Sequence, residues 1–147
     1  MDKQPVLDDV VMPALLRAAR GPYRDAVRQA LAASGCSDLP PNGAYVVGAL
    51  ARYGSPMAEI IEGLGVSKQT AGQLVDTMVL RGYLVRSPDP ADRRRLTITL
   101  TERGQAAHET VRAAITGVDA ELADRIGAER LAQTKAGLLA IIQAFGE

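Results

Sequence analysis

The chain holds one cysteine, Cys36, and one histidine, His108. A single thiol excludes an intrachain disulfide framework and any multi-cysteine zinc site, and suits a reducing compartment. One histidine among scattered carboxylates makes a poor metal site, so His108 reads as a surface residue and no metal or cofactor is expected. There is no nucleotide-binding glycine loop either, so an enzyme is a poor reading and no residue is assigned a catalytic role. No uncharged apolar run is long enough to span a bilayer, so no membrane partner is expected. The first residues, MDKQPVLDDVV, carry three aspartates and lack the basic region, apolar core and cleavage site of a secretory leader. The expected compartment is the cytoplasm.

Net charge is also missing: 17 basic side chains meet 17 acidic ones. Taken alone, that argues against a nucleic-acid partner. The distribution argues the other way. Residues 81–101 hold Arg81, Arg86, Arg93, Arg94 and Arg95 against Asp89 and Asp92, while the rest of the chain is neutral or acidic. Positive charge is therefore gathered where phosphate contact would use it.

What is present fits a helical chain with one small β-hairpin. With 147 residues, 47% of them apolar, the chain can bury a core. From Val6 to Ser34 the spacing of Leu7, Val10, Val11, Ala14, Leu15 and Ala18 predicts helix, with a kink at Pro13 and a kink or break near Gly21-Pro22. The composition of Gly35 to Pro41 is that of a loop. Ala44, Val46, Val47, Leu50 and Ala51 make an apolar helix from about Pro41 to Arg52, in which Gly48 marks a close helix contact. Ser55-Pro56 reads as the start of a further helix with Met57, Ile60, Ile61 and Leu64 on one face, and Gly65 supplies the turn after it.

Ser67 is the predicted N-cap of the next helix, which buries Ala71, Leu74, Val75 and Met78 and turns Gln69, Gly72, Gln73 and Asp76 outward. Gly82 ends it. The apolar period then drops to two, giving one strand at Tyr83 to Arg86 and another at Leu96 to Leu100. The segment between them, Ser87 to Arg95, holds two prolines and three consecutive arginines and must be an exposed tip. Thr101 can cap a long helix with Ala107, Val111, Ala114, Ile115, Val118 and Leu122 on one side. Beyond Gly127, Leu131, Leu138, Ile142 and Phe145 form the apolar face of a last helix. Two short helices joined by a glycine turn, followed by a charged hairpin, have the shape of a winged helix-turn-helix.

The ordered set VSKQTAGQLVDTMVLRGYLVR, DPADRRR and LTITLTERG resembles the MarR family of bacterial transcriptional regulators. The resemblance implies a homodimer on double-stranded DNA, repressing from a pseudo-palindromic operator and released by a small ligand or an oxidant. It divides the chain into an N-terminal dimerisation helix region at 1–40, a DNA-binding lobe at 41–101 and C-terminal dimerisation helices at 102–147. By the match to the family's DxR element, Arg94 enters the minor groove and Asp92 holds it in place. Of Arg93 and Arg95, at least one meets phosphate. On the recognition helix, Ser67, Lys68 and Thr70 lie at the phosphate end, and Gln69 and Gln73 can read base edges, since a glutamine amide pairs bidentately with adenine.

The helix departs from the commoner family pattern in carrying Gly72, Thr77 and Val79-Leu80 where polar or charged residues are usual. Asp76 is read as pairing with an arginine of its own chain rather than with cytosine. Family architecture also makes Arg17, Arg20 and Tyr23 candidates for meeting a small aromatic or anionic effector. Cys36 has only Gly35, Ser37 and Asp38 beside it, none positively charged, so it is read as an inert loop cysteine. The competing reading, motivated by the weakly basic recognition helix and by Val79-Leu80 if exposed, is a winged-helix protein-interaction module without operator binding.

Overall fold

The computed structural model describes residues 10–54 and 57–146, and within them the chain folds as six helices and a two-stranded antiparallel hairpin. In order these are α1 (Met12–Ala33), α2 (Gly43–Tyr53), α3 (Met57–Leu64), α4 (Lys68–Leu80), β1 (Leu84–Pro88), β2 (Leu96–Leu100), α5 (Glu102–Ile126) and α6 (Ala128–Phe145). The predicted positions at Val6 and Leu7, the Ser55-Pro56 helix start and the side chain of Met57 lie outside the described residues.

The chain divides into two compact units, one of residues 28–112 and one formed by residues 1–27 with 113–147. Every buried hydrophobic side chain among the described residues belongs to the first unit. Its core gathers Val46, Val47 and Leu50 from α2, Ile60 from α3, Ala71, Val75 and Met78 from α4, Tyr83 and Leu84 at the start of the hairpin, Ile98 from β2, and Ala107 and Val111 from α5. These are the periodic positions of the sequence, with Leu74 half-buried at the edge. Tyr83 is fully enclosed and is the largest side chain in this core.

The joints are local and legible. Ser67 caps α4, its Oγ accepting the Thr70 N–H at 3.1 Å. At the other end Gly82, with φ +79°, lets the chain leave the helix: Gly82 N–H donates to the Val79 carbonyl at 3.0 Å and Tyr83 N–H to that of Met78 at 2.9 Å. These paired bonds satisfy carbonyls that the helix end leaves open. Thr101 caps α5, its Oγ1 accepting from the Gly104 N–H at 3.0 Å and donating to the Gly82 carbonyl at 2.5 Å. One hydroxyl thus ties the end of α4 to the start of α5.

Several expectations are corrected. Helix α1 begins at Met12, so Pro13 lies in its first turn, where a missing N–H costs nothing. It then continues without a break through Gly21 and Pro22 to Ala33. Gly48 marks no close contact, since a Cβ there would meet nothing within 4 Å. The close approach in this region is instead at Gly63, where an added Cβ would lie 1.7 Å from the Tyr45 hydroxyl. The hairpin extends further than its sequence suggested: Ser87 pairs with Thr97 and Pro88 with Leu96. A proline is tolerated because a two-stranded sheet consists only of edges. Leu96, expected to face inward, is 66% exposed, because the hairpin runs out beyond the core that covers Leu84 and Ile98.

The second unit contains the first part of α1, the rest of α5 and α6. Across it, the Tyr23 hydroxyl donates to Asp119 Oδ1 at 2.5 Å, and Lys135 pairs with Asp119 Oδ2. The Asp119 bond, followed by burial, pushes the Tyr23 phenol up to about 12, and the Lys135 ammonium, followed by the Tyr23 hydroxyl, holds Asp119 below the usual carboxylate range. No side chain of this unit is buried among the described residues.

Candidate nucleic-acid interface

Helix α4 and the hairpin form one exposed surface within the first unit. The outward residues of α4, Gln69, Gly72, Gln73 and Asp76, are all exposed, as are Ser67, Lys68 and Thr70 at its N-terminus. Ser67 and Thr70 hydroxyls lie 2.9 Å apart, so both are engaged in the cap as well as open to solvent. Glutamine, lysine and hydroxyl groups at a helix N-terminus are the donors that a base edge or a phosphate requires.

The hairpin tip is built by its own aspartates. Asp89 Oδ1 accepts the Ala91 N–H at 2.9 Å and Asp92 Oδ1 the Arg94 N–H at 3.0 Å. Arg95 N–H donates to the Asp92 carbonyl, closing a tight turn over residues 92–95, and Asp89 N–H donates to the Arg95 carbonyl. Asp92 thus fixes the main chain of Arg94 and leaves its guanidinium pointing outward. Arg93, Arg94 and Arg95 are all exposed, and among the described residues none of the three makes an ion pair. Three adjacent cations without a partner on a short, shaped turn constitute an anion-seeking site.

The other two arginines of the basic stretch are used inside the molecule. Arg86 on β1 pairs with Asp76 on α4, the intrachain pairing read for Asp76, and this ties the hairpin to the outward face of the helix. Arg81 donates to the Asp38 carbonyl. Pairing with Asp76 thus offsets the charge of Arg86, while Arg81 is held by a carbonyl and the three arginines of the tip are held by neither.

A network that the sequence did not reveal sits behind this surface. Arg103 donates to Asp38 Oδ1 at 2.9 Å and to the Gly35 carbonyl at 3.1 Å, also reaches the Arg81 carbonyl, and lies 4.3 Å over the Tyr83 ring. Tyr83 donates its hydroxyl to Asp38 Oδ1 at 2.5 Å. The Tyr83 hydroxyl, followed by the Arg103 guanidinium, holds the Asp38 carboxyl below the usual carboxylate range. Burial, followed by the Asp38 hydrogen bond, pushes the Tyr83 phenol above its ordinary value. The only signal for this network was the ERG triplet, and contacts that join residues 65 apart leave no local pattern.

A carboxyl with a depressed folded value contributes stability above its unfolded value, near 4, and loses that contribution as pH falls through the folded value. Asp38→Asn is therefore expected to melt earlier than the parent protein at pH 7, with the gap closing below about pH 4. Thermal unfolding at pH 7 and pH 3 measures this, and an equal gap at both would remove the carboxylate from the network's stability.

Of the remaining candidates, Arg17 and Arg20 are exposed on α1, and the Tyr23 hydroxyl is occupied by Asp119. Cys36 is 4% exposed, with its Sγ 3.9 Å from the Ser34 carbonyl, so the access that a thiol sensor needs is missing. Leu80 is 87% exposed and Val79 half-buried. Among the described residues no group of histidine, cysteine and carboxylate side chains could hold a metal ion, and no helix is long and apolar enough to cross a membrane.

The family model described as the MarR family matches residues 37–95, the stretch that runs from the Asp38 loop to the wing. Comparison with curated proteins gives no match. Among solved structures, a transcriptional regulator from Thermotoga maritima is 25% identical, with 90% of this chain and 92% of that chain covered and a TM-score of 0.59. A MarR-family transcriptional regulator from Rhodococcus sp. RHA1 is 24% identical over 99% of this chain and 100% of that chain, with a TM-score of 0.71. The reduced form of MarR from E. coli is 19% identical over 90% and 97%, with a TM-score of 0.72. At their identities, the last two are likenesses of fold.

Proposed function

We propose that this chain, whose residues 37–95 match the MarR family model, is a homodimeric, sequence-specific regulator of transcription. It represses from a pseudo-palindromic operator, is relieved by a small ligand and works in the cytoplasm. The observation that carries the reading is the pairing of an exposed, capped α4 with a hairpin tip whose three arginines have no protein partner among the described residues. Lys68, Ser67 and Thr70 then take phosphate, Gln69 and Gln73 read base edges in the major groove, and Arg94 enters the neighbouring minor groove with Arg93 and Arg95 at the backbone. Asp92 positions Arg94 through its main chain.

Dimerisation is supported by the second unit. Ile142 is 67% and Phe145 89% exposed on α6, Val11 just before α1 and Met12 at its start are open, and no side chain of the unit is buried among the described residues. Helices in water are held by packing of an apolar face, and a second copy supplies one by two-fold symmetry. The proposed division is a DNA-binding lobe at 41–101 with dimerising helices in 1–40 and 102–147, of which residues 28–40 and 102–112 belong to the same compact unit as the lobe. An Ile142→Asp, Phe145→Asp double variant is expected to shift the protein from dimer to monomer in sedimentation, with Kd for self-association raised about a hundredfold or more. A dimer of unchanged strength would move the interface elsewhere.

For the effector, Arg17 and Arg20 offer two exposed cations and Tyr23 offers its ring, a combination that suits a small aromatic or anionic molecule. The exposed Leu80 favours the second reading, a protein-interaction module. Selection of bound duplexes from a random DNA pool at physiological salt separates the two. An enriched inverted repeat whose affinity falls steeply with salt supports the regulator; salt-insensitive or absent DNA binding by the folded protein supports the module.

A further inference from the structure

Leu96 does not take the place in the core that the alternation of β2 assigns it. Its register shows which way it faces. Leu84 pairs with Leu100, Arg86 with Ile98 and Pro88 with Leu96, and directly opposed residues of an antiparallel ladder share one face. On that face Leu84 and Ile98 are buried, and Arg86 pairs with Asp76 on the outward side of α4. The face is therefore the one turned to α4. Pro88 and Leu96 come next, about 7 Å further along the strands by the strand rise, and both are exposed.

A lone exposed leucine is ordinary on a protein surface, and Leu80, at the end of α4, is one. The pair at the end of the hairpin differs in its surroundings. It lies between the Asp76–Arg86 tie, where the hairpin meets the helix, and the turn that carries Arg93, Arg94 and Arg95. Arg95 directly precedes Leu96. Neither the proline ring nor the leucine side chain can form a hydrogen bond, so whatever covers the pair must meet it with apolar atoms, although cations stand beside it.

Resting on the reading of α4 and the wing as a DNA-binding surface, we infer that Leu96, with Pro88 opposite it, is a DNA-contacting residue that packs on a deoxyribose of the strand separating the two grooves. With α4 in a major groove and the tip in the neighbouring minor groove, one sugar–phosphate strand runs between them. That strand crosses the hairpin on the face that looks to α4, between the Asp76–Arg86 tie and the arginines. Its phosphates suit the tip cations, and the sugar between two phosphates turns C–H groups to the apolar pair. The contact removes apolar surface from water and keeps water from the adjoining arginine–phosphate contacts, where a lower dielectric strengthens the attraction. Every nucleotide carries the same sugar, so Leu96 adds affinity and leaves sequence preference to other residues.

The test compares the unmodified protein with Leu96→Ala and Leu96→Met on a duplex that the unmodified protein selects from a random pool, over a range of salt. All three are expected to melt within about 2 °C of one another, since the side chain stands largely in solvent. Affinity falls about tenfold for Leu96→Ala and stays within about twofold for Leu96→Met, which keeps the apolar volume. The alanine variant keeps the salt slope, because no phosphate contact is lost, and its heat-capacity change on binding is less negative. Unchanged affinity of the alanine variant overturns the inference and leaves the regulator reading standing. A loss with a shallower salt slope overturns it too, because Leu96 would then act by holding the arginines. So does an equal loss in the methionine variant, or a melting temperature that falls with the affinity. If the unmodified protein selects no duplex, the regulator reading fails, and this inference with it.

Discussion

A variant with Arg93, Arg94 and Arg95 all replaced by alanine is expected to bind the selected operator about a hundredfold more weakly, and Arg94→Ala alone to account for about tenfold of that. Each cation that meets DNA releases condensed counterions, so the slope of log affinity against log salt should become shallower by about 0.9 for every phosphate that the variant no longer neutralises. The melting temperature should hold, because the three side chains are exposed and form no ion pair among the described residues. This combination distinguishes a DNA-binding wing from a turn that is charged only for solubility. In the second case neither the affinity nor the slope would move. Asp92→Ala gives a milder version, since Asp92 reaches Arg94 only through its backbone N–H. Arg86 behaves differently again: it is held by Asp76, so its removal acts on how the hairpin sits against α4.

The second large effect is on stability. Gly104→Ala is expected to destabilise the protein by about 3 kcal/mol or more, lowering the melting temperature by roughly 10 °C. A Cβ at this position would lie 2.1 Å from the Tyr83 carbonyl oxygen and 3.1 Å from a Leu100 methyl. The first is backbone and cannot swing aside. That carbonyl also accepts the Thr101 N–H at 3.1 Å, and the Gly104 N–H is the one capped by Thr101 at 3.0 Å, so relieving the clash opens the joint between the hairpin and α5. Calorimetry of the variant reads the effect directly. The contrast with Gly72→Ala, where a Cβ would meet nothing within 4 Å and the melting temperature is expected to hold or rise, separates a glycine that the fold requires from one that it does not. If Gly104→Ala melted with the unmodified protein, the close approach of α5 to Tyr83 would be wrong.

Much of the lobe can be read from the chain because its determinants are short-range. The Ser67 cap lies three residues from the amide it satisfies, Gly82 lies next to the helix end it terminates, and Thr101 lies three residues from Gly104. Periods of 3.6 and 2 select the same side chains, Ala71, Val75 and Met78 on the helix and Leu84 and Ile98 on the hairpin, that the folded unit buries. Where local rules mislead, tertiary packing overrides a weak local preference. Gly21-Pro22 reads as a break, yet α1 runs through it. Leu96 has the right alternation for burial but stands beyond the end of the core.

By itself, the sequence determined the order and type of the elements, the charged tip at 93–95 and the outward set on α4. Each of these follows from residues within a turn or two of one another, whose chemistry acts through the local backbone. Only the tertiary structure decided how the charges are apportioned: Arg81, Arg86 and Arg103 turn to Asp38, Asp76 and nearby carbonyls, while Arg93, Arg94 and Arg95 keep their charge for a partner. It also decided which glycines the fold requires. An arginine in a sequence carries no mark of its counter-ion, and a glycine none of what stands opposite its missing Cβ, because both depend on residues brought close only when distant parts of the chain meet.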